Sequence, residues 1–246
     1  MIMRRRGIFF AALAVLAVPM AAQTVRVLEF SQPKRDHLDE FRAAINDYTA
    51  VMKRVGDPHA FTVWNSLSGP AESFRMVDFP NWAERDGPNA SQRHPAQAAE
   101  IARINQRFNN ANQSLRTVIL RLVSDSSLPL DNDFPPMIVA RWVRLAPGHG
   151  SEYVAATKSD ILPAVKKAGI KSYSFWQVVF GAQQSQYLAL IGIDNWASFD
   201  RPDPTVAAMG NEAYQRFRAK TRPIMVEARE DVYRFSPETS YLPAAR

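Results

Sequence analysis

Cysteine is absent from the 246 residues. That excludes disulfides, thiolate metal ligation and a lipid-modified cysteine, so stability must come from the core. Glycine is scarce, at ten residues, and none of them forms a phosphate-cradling loop. G-x-S-x-G, H-E-x-x-H and a Walker lysine are missing as well. The four histidines stand apart from one another, and no metal centre is expected. Past residue 22, no apolar run approaches the roughly 20 residues that cross a bilayer, so no stable membrane insertion is expected.

Charge of one sign is also lacking where it would matter. The formal net charge is +6, but three of the arginines fall in residues 1–22; beyond them 27 basic residues face 24 acidic ones. These are interspersed, which gives no basic patch for nucleic acid. Residues 1–22 read as a secretory signal peptide: Arg4, Arg5 and Arg6, an apolar stretch over residues 8–18, then Met20, Ala21 and Ala22 before Gln23. The expectation is an exported chain, periplasmic or secreted, cleaved near Ala22.

What the sequence does have is a phrase written twice. "NWAERDGP" starts at Asn81 and "NWASFDRP" at Asn195, 114 residues later. At that offset ten positions agree between 33–88 and 147–202, among them Phe61/Phe175 and Trp82/Trp196, where average composition gives roughly three by chance. "QRF" recurs at Gln106 and Gln215. The chain therefore reads as a duplicated unit, residues 23–127 and 137–246, joined by a Pro- and Asp-rich linker at 128–136.

Each unit carries the same order. A strand ("VRVLEF", "MIVARWVRL") precedes an amphipathic helix, whose first copy repeats Leu38, Phe41, Ile45, Tyr48, Met52 and Val55 at helical spacing. Gly56 and Gly169 mark the helix ends, and Pro163 breaks or restarts the second copy. A hairpin, a second helix and a last strand follow. This is the β-α-β-β-α-β, ferredoxin-like order, and the Asn of the repeated phrase is placed as an N-cap.

A ferredoxin-like unit covers one sheet face with helices. "SYSFWQVVF" is apolar on both faces, so its second face needs cover too. The expected fold is α+β: two tandem repeats whose sheets face each other as an intramolecular α+β barrel, a monomer with an internal pseudo-dimer.

The element order, the "NWA" corner after the third strand, and "ILPAVKKAGI" leading into a strand resemble the dimeric α+β barrel superfamily. The closest likeness within it is to tandem, NIPSNAP-like members. The resemblance implies a spectrum from cofactor-independent antibiotic-biosynthesis-type monooxygenases and haem enzymes to proteins without a reaction. Haem degraders of that kind ligate iron through a histidine after the corner tryptophan; His94, twelve residues beyond Trp82, matches loosely, although Pro95 follows it. No cofactor is otherwise expected.

The remaining candidates are aromatics and arginines on strands: Trp64, Trp142, Trp176, Tyr173, Tyr187 and Arg141, with Arg75, Arg121 and Arg144. An aromatic-lined barrel interior with a few convergent polar groups would bind a small apolar or aromatic molecule. A small barrel can equally be filled by its own side chains. Arg141, in mid-strand, is the candidate inward charge, partnered by Glu29, Glu227 or a ligand carboxylate. His59 stands in a turn before a strand, and His149 in a loop beside Glu152. A monooxygenase of the same superfamily is the alternative to a binding protein.

Overall fold

The computed structural model describes residues 23–130 and 133–243; the signal-peptide reading lies outside them. Eight strands form one closed antiparallel barrel: β1 (Val25–Pro33), β2 (Thr62–Ser66), β3 (Ser73–Phe79), β4 (Asn112–Leu122), β5 (Met137–Leu145), β6 (Tyr173–Phe180), β7 (Gln186–Ile193) and β8 (Met225–Phe235). The order around the barrel is β1-β3-β2-β8-β5-β7-β6-β4. Residues 25–122 contribute β4-β1-β3-β2, and residues 137–235 contribute β8-β5-β7-β6 in the same internal order. The halves do not stack as separate layers. Their edge strands pair, β2 with β8 and β4 with β6, which satisfies edge N–H and C=O groups that would otherwise stay open.

Helices wrap the outside. In the first half these are α1 (Leu38–Val55), the short α2 (Trp82–Arg85) and α3 (Ala90–Arg93), and α4 (Ala98–Ala111). In the second they are α5 (Gly150–Ala156), α6 (Leu162–Lys167), α7 (Pro204–Met209) and α8 (Asn211–Thr221). Gly56 ends α1 with φ at 61°, the left-handed cap that glycine adopts without penalty. Pro163 leaves one carbonyl without its helical donor, and the chain passes from α5 to α6 through a π turn, Thr157–Ile161.

The repeated phrase is a corner in both halves. Asn81 and Asn195 share an extended backbone, and the Asn81 side chain accepts from the Glu84 N–H at 3.0 Å. Asn195 makes no such cap and leads into a 3-10 turn. Trp82 packs edge-on against Phe180 of the other half, centroids 6.1 Å apart. Trp196 is 48% exposed beside Phe199.

Side chains alternate across each strand, and closure decides which set points inward. Leu28, Phe30, Trp64, Phe74, Val118, Leu120, Ile138, Trp142, Trp176, Leu188 and Tyr233 form one buried cluster inside the barrel. Trp64 and Trp176 are each 1% exposed or less, and each donates its indole N–H to a hydroxyl two residues earlier, Thr62 at 2.9 Å and Ser174 at 2.8 Å. Phe134 of the linker closes one end against Trp64 and Phe235. The interior expected to hold a ligand is packed by protein; among the described residues a hollow of about 40 Å³ remains beside Pro129, Leu130 and Phe134, room for a water or two.

Candidate functional site

A prominent open space among the described residues lies outside the barrel, between the outer face of the first half and its helices. Two adjoining lobes of about 400 and 370 Å³ share Glu29, Tyr48, Phe61, Arg75 and Asn105. Each lobe is of the size of a small-molecule site. Strands β1, β2 and β3 form the floor, while α1 and α4 supply walls through Tyr48, Met52, Ile101, Ile104 and Phe108. The segment around α2 and α3 rims the larger lobe, together with Asp57 and His59.

A charged pair sits on this floor. Glu29 and Arg75 are directly opposite in the β1–β3 ladder, and Arg75 Nε donates to Glu29 Oε2 at 2.7 Å. Its guanidinium also lies 5.4 Å from the Tyr48 ring and 5.5 Å from the Phe61 ring, within cation–π range. Burial disfavours the charge, but Glu29 and Tyr48 outweigh it and raise the Arg75 pKa. Arg75 is thus a fixed cation. About a third of its side chain is still accessible, and that part borders both lobes.

The second half shows why the first is open. Through Arg75 and Ala189, the rung Glu29–Arg75–Val63 is matched by Arg141–Ala189–Phe175, so Phe175 stands at the place of Val63 although the sequence repeat aligns it with Phe61. Where Ser73 lines the cleft in the first half, Tyr187 stands in the second. Tyr153, Phe175 and Tyr187 fill that space, the last two stacked at 5.4 Å and 8°. Burial pushes Tyr153 up to about 12 and raises Tyr173 and Tyr187 as well, so these phenols stay neutral at physiological pH.

The sequence candidates fall in three places. Trp64, Trp142 and Trp176 come together inside the barrel as packing. Tyr173 and Tyr187 lie on the opposite, outer face, in the cluster beneath the second-half helices. Arg141 also points outward, which corrects the inward expectation: its partners are Glu230 at 2.6 Å and Asp203 at 3.8 Å, neither of them expected. Strand parity explains this, because Ala140 and Trp142 on either side take the interior. Arg144 shares the strand face of Trp142 but stands near the end of β5, where it pairs with Glu227.

His94 does not line the cleft. Its Nε2 lies 2.8 Å from Asp57 Oδ2, and Asp57 is 1% exposed. Asp57 also accepts from Arg93 Nε and Nη2, each at 3.0 Å, and from the His59 N–H at 2.8 Å. Burial pushes this carboxyl up, yet the His59 backbone, Arg93 and His94 together hold it below its ordinary value.

Sequence reasoning had Arg75 as one strand arginine among several and Tyr48 as part of a helix stripe. The signal that singles them out is a pair of opposite charges, Glu29 and Arg75, on the helix-covered face of neighbouring strands, where the second copy has Ala189.

No protein-family model and no curated protein sequence matches the chain. Solved structures do. A candidate monooxygenase from Fusobacterium nucleatum superposes with a TM-score of 0.61 at 10% identity, covering 88% of this chain and 94% of that one. Another from Lactobacillus acidophilus gives 0.58 at 7%, covering 89% and 98%. An anthrone oxidase-like protein gives 0.57 at 11%, covering 91% and 97%. What is shared at these identities is the fold, an eight-stranded α+β barrel.

Proposed function

We propose that the protein binds a small, planar, largely apolar molecule bearing an oxygen substituent, in the first-half cleft rather than inside the barrel. The observation that carries this is the contrast between the two halves. The same space is filled by Tyr153, Phe175 and Tyr187 in one half, and left open around an accessible Arg75–Glu29 pair in the other. A charged pair on an apolar floor is costly unless something gains from it. A ligand with one polar group among aromatic carbons fits that role.

Oxygenation of the bound molecule, without a cofactor, is the reaction class in keeping with this site. The names of the fold neighbours favour it, and one of them points to a fused-ring aromatic ketone. His94 stands outside the cleft lining, so a haem-dependent variant would need another ligand for a haem bound there. The repeated strand order and the repeated phrase support a tandem ferredoxin-like architecture, residues 23–127 and 137–246, of the dimeric α+β barrel superfamily and NIPSNAP-like in kind. Barrel closure within one chain favours a monomer, and residues 1–22 favour export.

Native mass spectrometry of the purified protein, followed by oxygen uptake with anthrone, tests the reading. An aromatic ligand retained by the wild type and lost in Asn105→Trp, which blocks both lobes from the exposed face of α4, supports it. Equal retention by that variant places the ligand elsewhere and overturns it.

A further inference from the structure

His59 has an unexplained nitrogen. Its Nδ1 is buried and makes no hydrogen bond among the described residues, although it lies 3.4 Å from Asp57 Oδ1. Buried polar atoms are rarely left unpaired, and an exception asks for a reason. The side chain is a third exposed, and His59 lines the larger lobe together with Arg75. Asp57 behind it is immobilised: its carboxylate takes the contacts from Arg93, His94 and the His59 N–H, and its carbonyl accepts the Tyr241 hydroxyl at 2.7 Å. A small rotation of the imidazole would turn Nδ1–H onto Oδ1. The tautomer so fixed leaves Nε2 as an acceptor.

We propose that His59 takes a proton from an acidic aromatic hydroxyl bound in the cleft, with Asp57 as the positioning residue and Arg75 stabilising the oxyanion. This rests on the cleft being the ligand site. The step is a proton transfer alone: the ligand O–H bond breaks, its electron pair stays on oxygen as a phenolate, and the proton moves to His59 Nε2. Asp57 stabilises the imidazolium through Nδ1–H. The other charges bordering the lobe are Arg93, Arg85 and Glu84 from the α2–α3 segment and Glu29 and Arg75 from the strands. Three arginines thus balance Asp57, Glu29 and Glu84, so a neutral phenol enters without a charge penalty and the anion forms beside Arg75.

The test uses para-nitrophenol, whose phenol and phenolate absorb differently, and its methyl ether, which has no proton to give. Binding and bound-state ionisation are followed spectrophotometrically across pH, and proton uptake by calorimetry in buffers of different ionisation enthalpy at a pH where the free ligand is already phenolate, so that the proton of the imidazolium must come from solvent. The wild type is expected to favour the phenol over the ether by about ten-fold, with the bound phenol ionising about one pH unit lower than free. His59→Asn keeps a donor near the Nδ1 position and His59→Gln one near the Nε2 position; both remove the ring, and neither amide is a proton acceptor. Both should lose the phenol preference and the proton uptake. Arg75→Met should lose the shift in ionisation. Wild-type levels of preference and uptake in folded His59→Asn and His59→Gln would overturn the inference while leaving the cleft reading intact. Failure of both probes to bind the wild type would overturn both.

Discussion

Trp142 offers a controlled measurement of what fills the barrel. Three interior tryptophans share one environment but differ at the indole nitrogen. Trp64 and Trp176 donate to Thr62 and Ser174, whereas Trp142 Nε1 is buried with no partner among the described residues. Replacing any of them by phenylalanine removes apolar volume at a cost of about 1–2 kcal/mol, taking about 0.8 kcal/mol per buried methylene equivalent. At positions 64 and 176 the substitution also strands a buried hydroxyl, adding about 1–2 kcal/mol. At 142 it removes an unpaired N–H whose burial costs about 1–3 kcal/mol, which offsets the lost volume. Trp64→Phe and Trp176→Phe are therefore expected to destabilise by about 2–4 kcal/mol, and Trp142→Phe to stay within about 1 kcal/mol of wild type. Urea melts with unchanged m-values would read this, or melting temperatures at about 2–4 °C per kcal/mol for a chain of this size. Equal losses at all three positions would refute the reasoning, because Trp142 Nε1 would then have a hydrogen-bond partner.

Gly69, in the β2–β3 turn, holds φ at 81°, and an added Cβ would clash with Asp231 Oδ1; Gly69→Ala should cost about 2–4 kcal/mol. Gly148→Ala, with φ at 87° and nothing within 4 Å, should cost about 1–2 kcal/mol by chemical denaturation, from backbone strain alone. Asp57→Asn strands Arg93 and should lose about 3 kcal/mol at neutral pH. Since the folded-state pKa of Asp57 is depressed, its contribution is present above the unfolded value, about 4, and disappears as pH falls through the folded one. The stability gap between wild type and Asp57→Asn should accordingly close in acid, and a gap that widened would contradict the assigned contacts. Asn105→Trp should keep the wild-type melting temperature within about 2 °C, since the residue is exposed, while abolishing aromatic-ligand retention.

The sequence by itself determined the elements and their order. Helical spacing from Leu38 to Val55, the αL stop at Gly56, the two hairpins and the paired Asn-Trp corners are local signals, set by backbone geometry and short-range hydrogen bonding. The repeat also made a second buried sheet face necessary, because "SYSFWQVVF" has no polar side to give to water.

Which face went inside was settled only by closure. Trp176 and Tyr173 are equally apolar to a reader of strand alternation, since the barrel buries one face and the helices bury the other. Only the pairing of β2 with β8 and β4 with β6 put Trp176 inward and Tyr173 and Arg141 outward. The cleft was hidden for a related reason. An open space depends on residues far apart in the chain, Glu29, Tyr48, Arg75 and Asn105, failing to fill what Tyr153, Phe175 and Tyr187 fill in the other half. Packing density is a property of the assembled volume, and no window of sequence contains it.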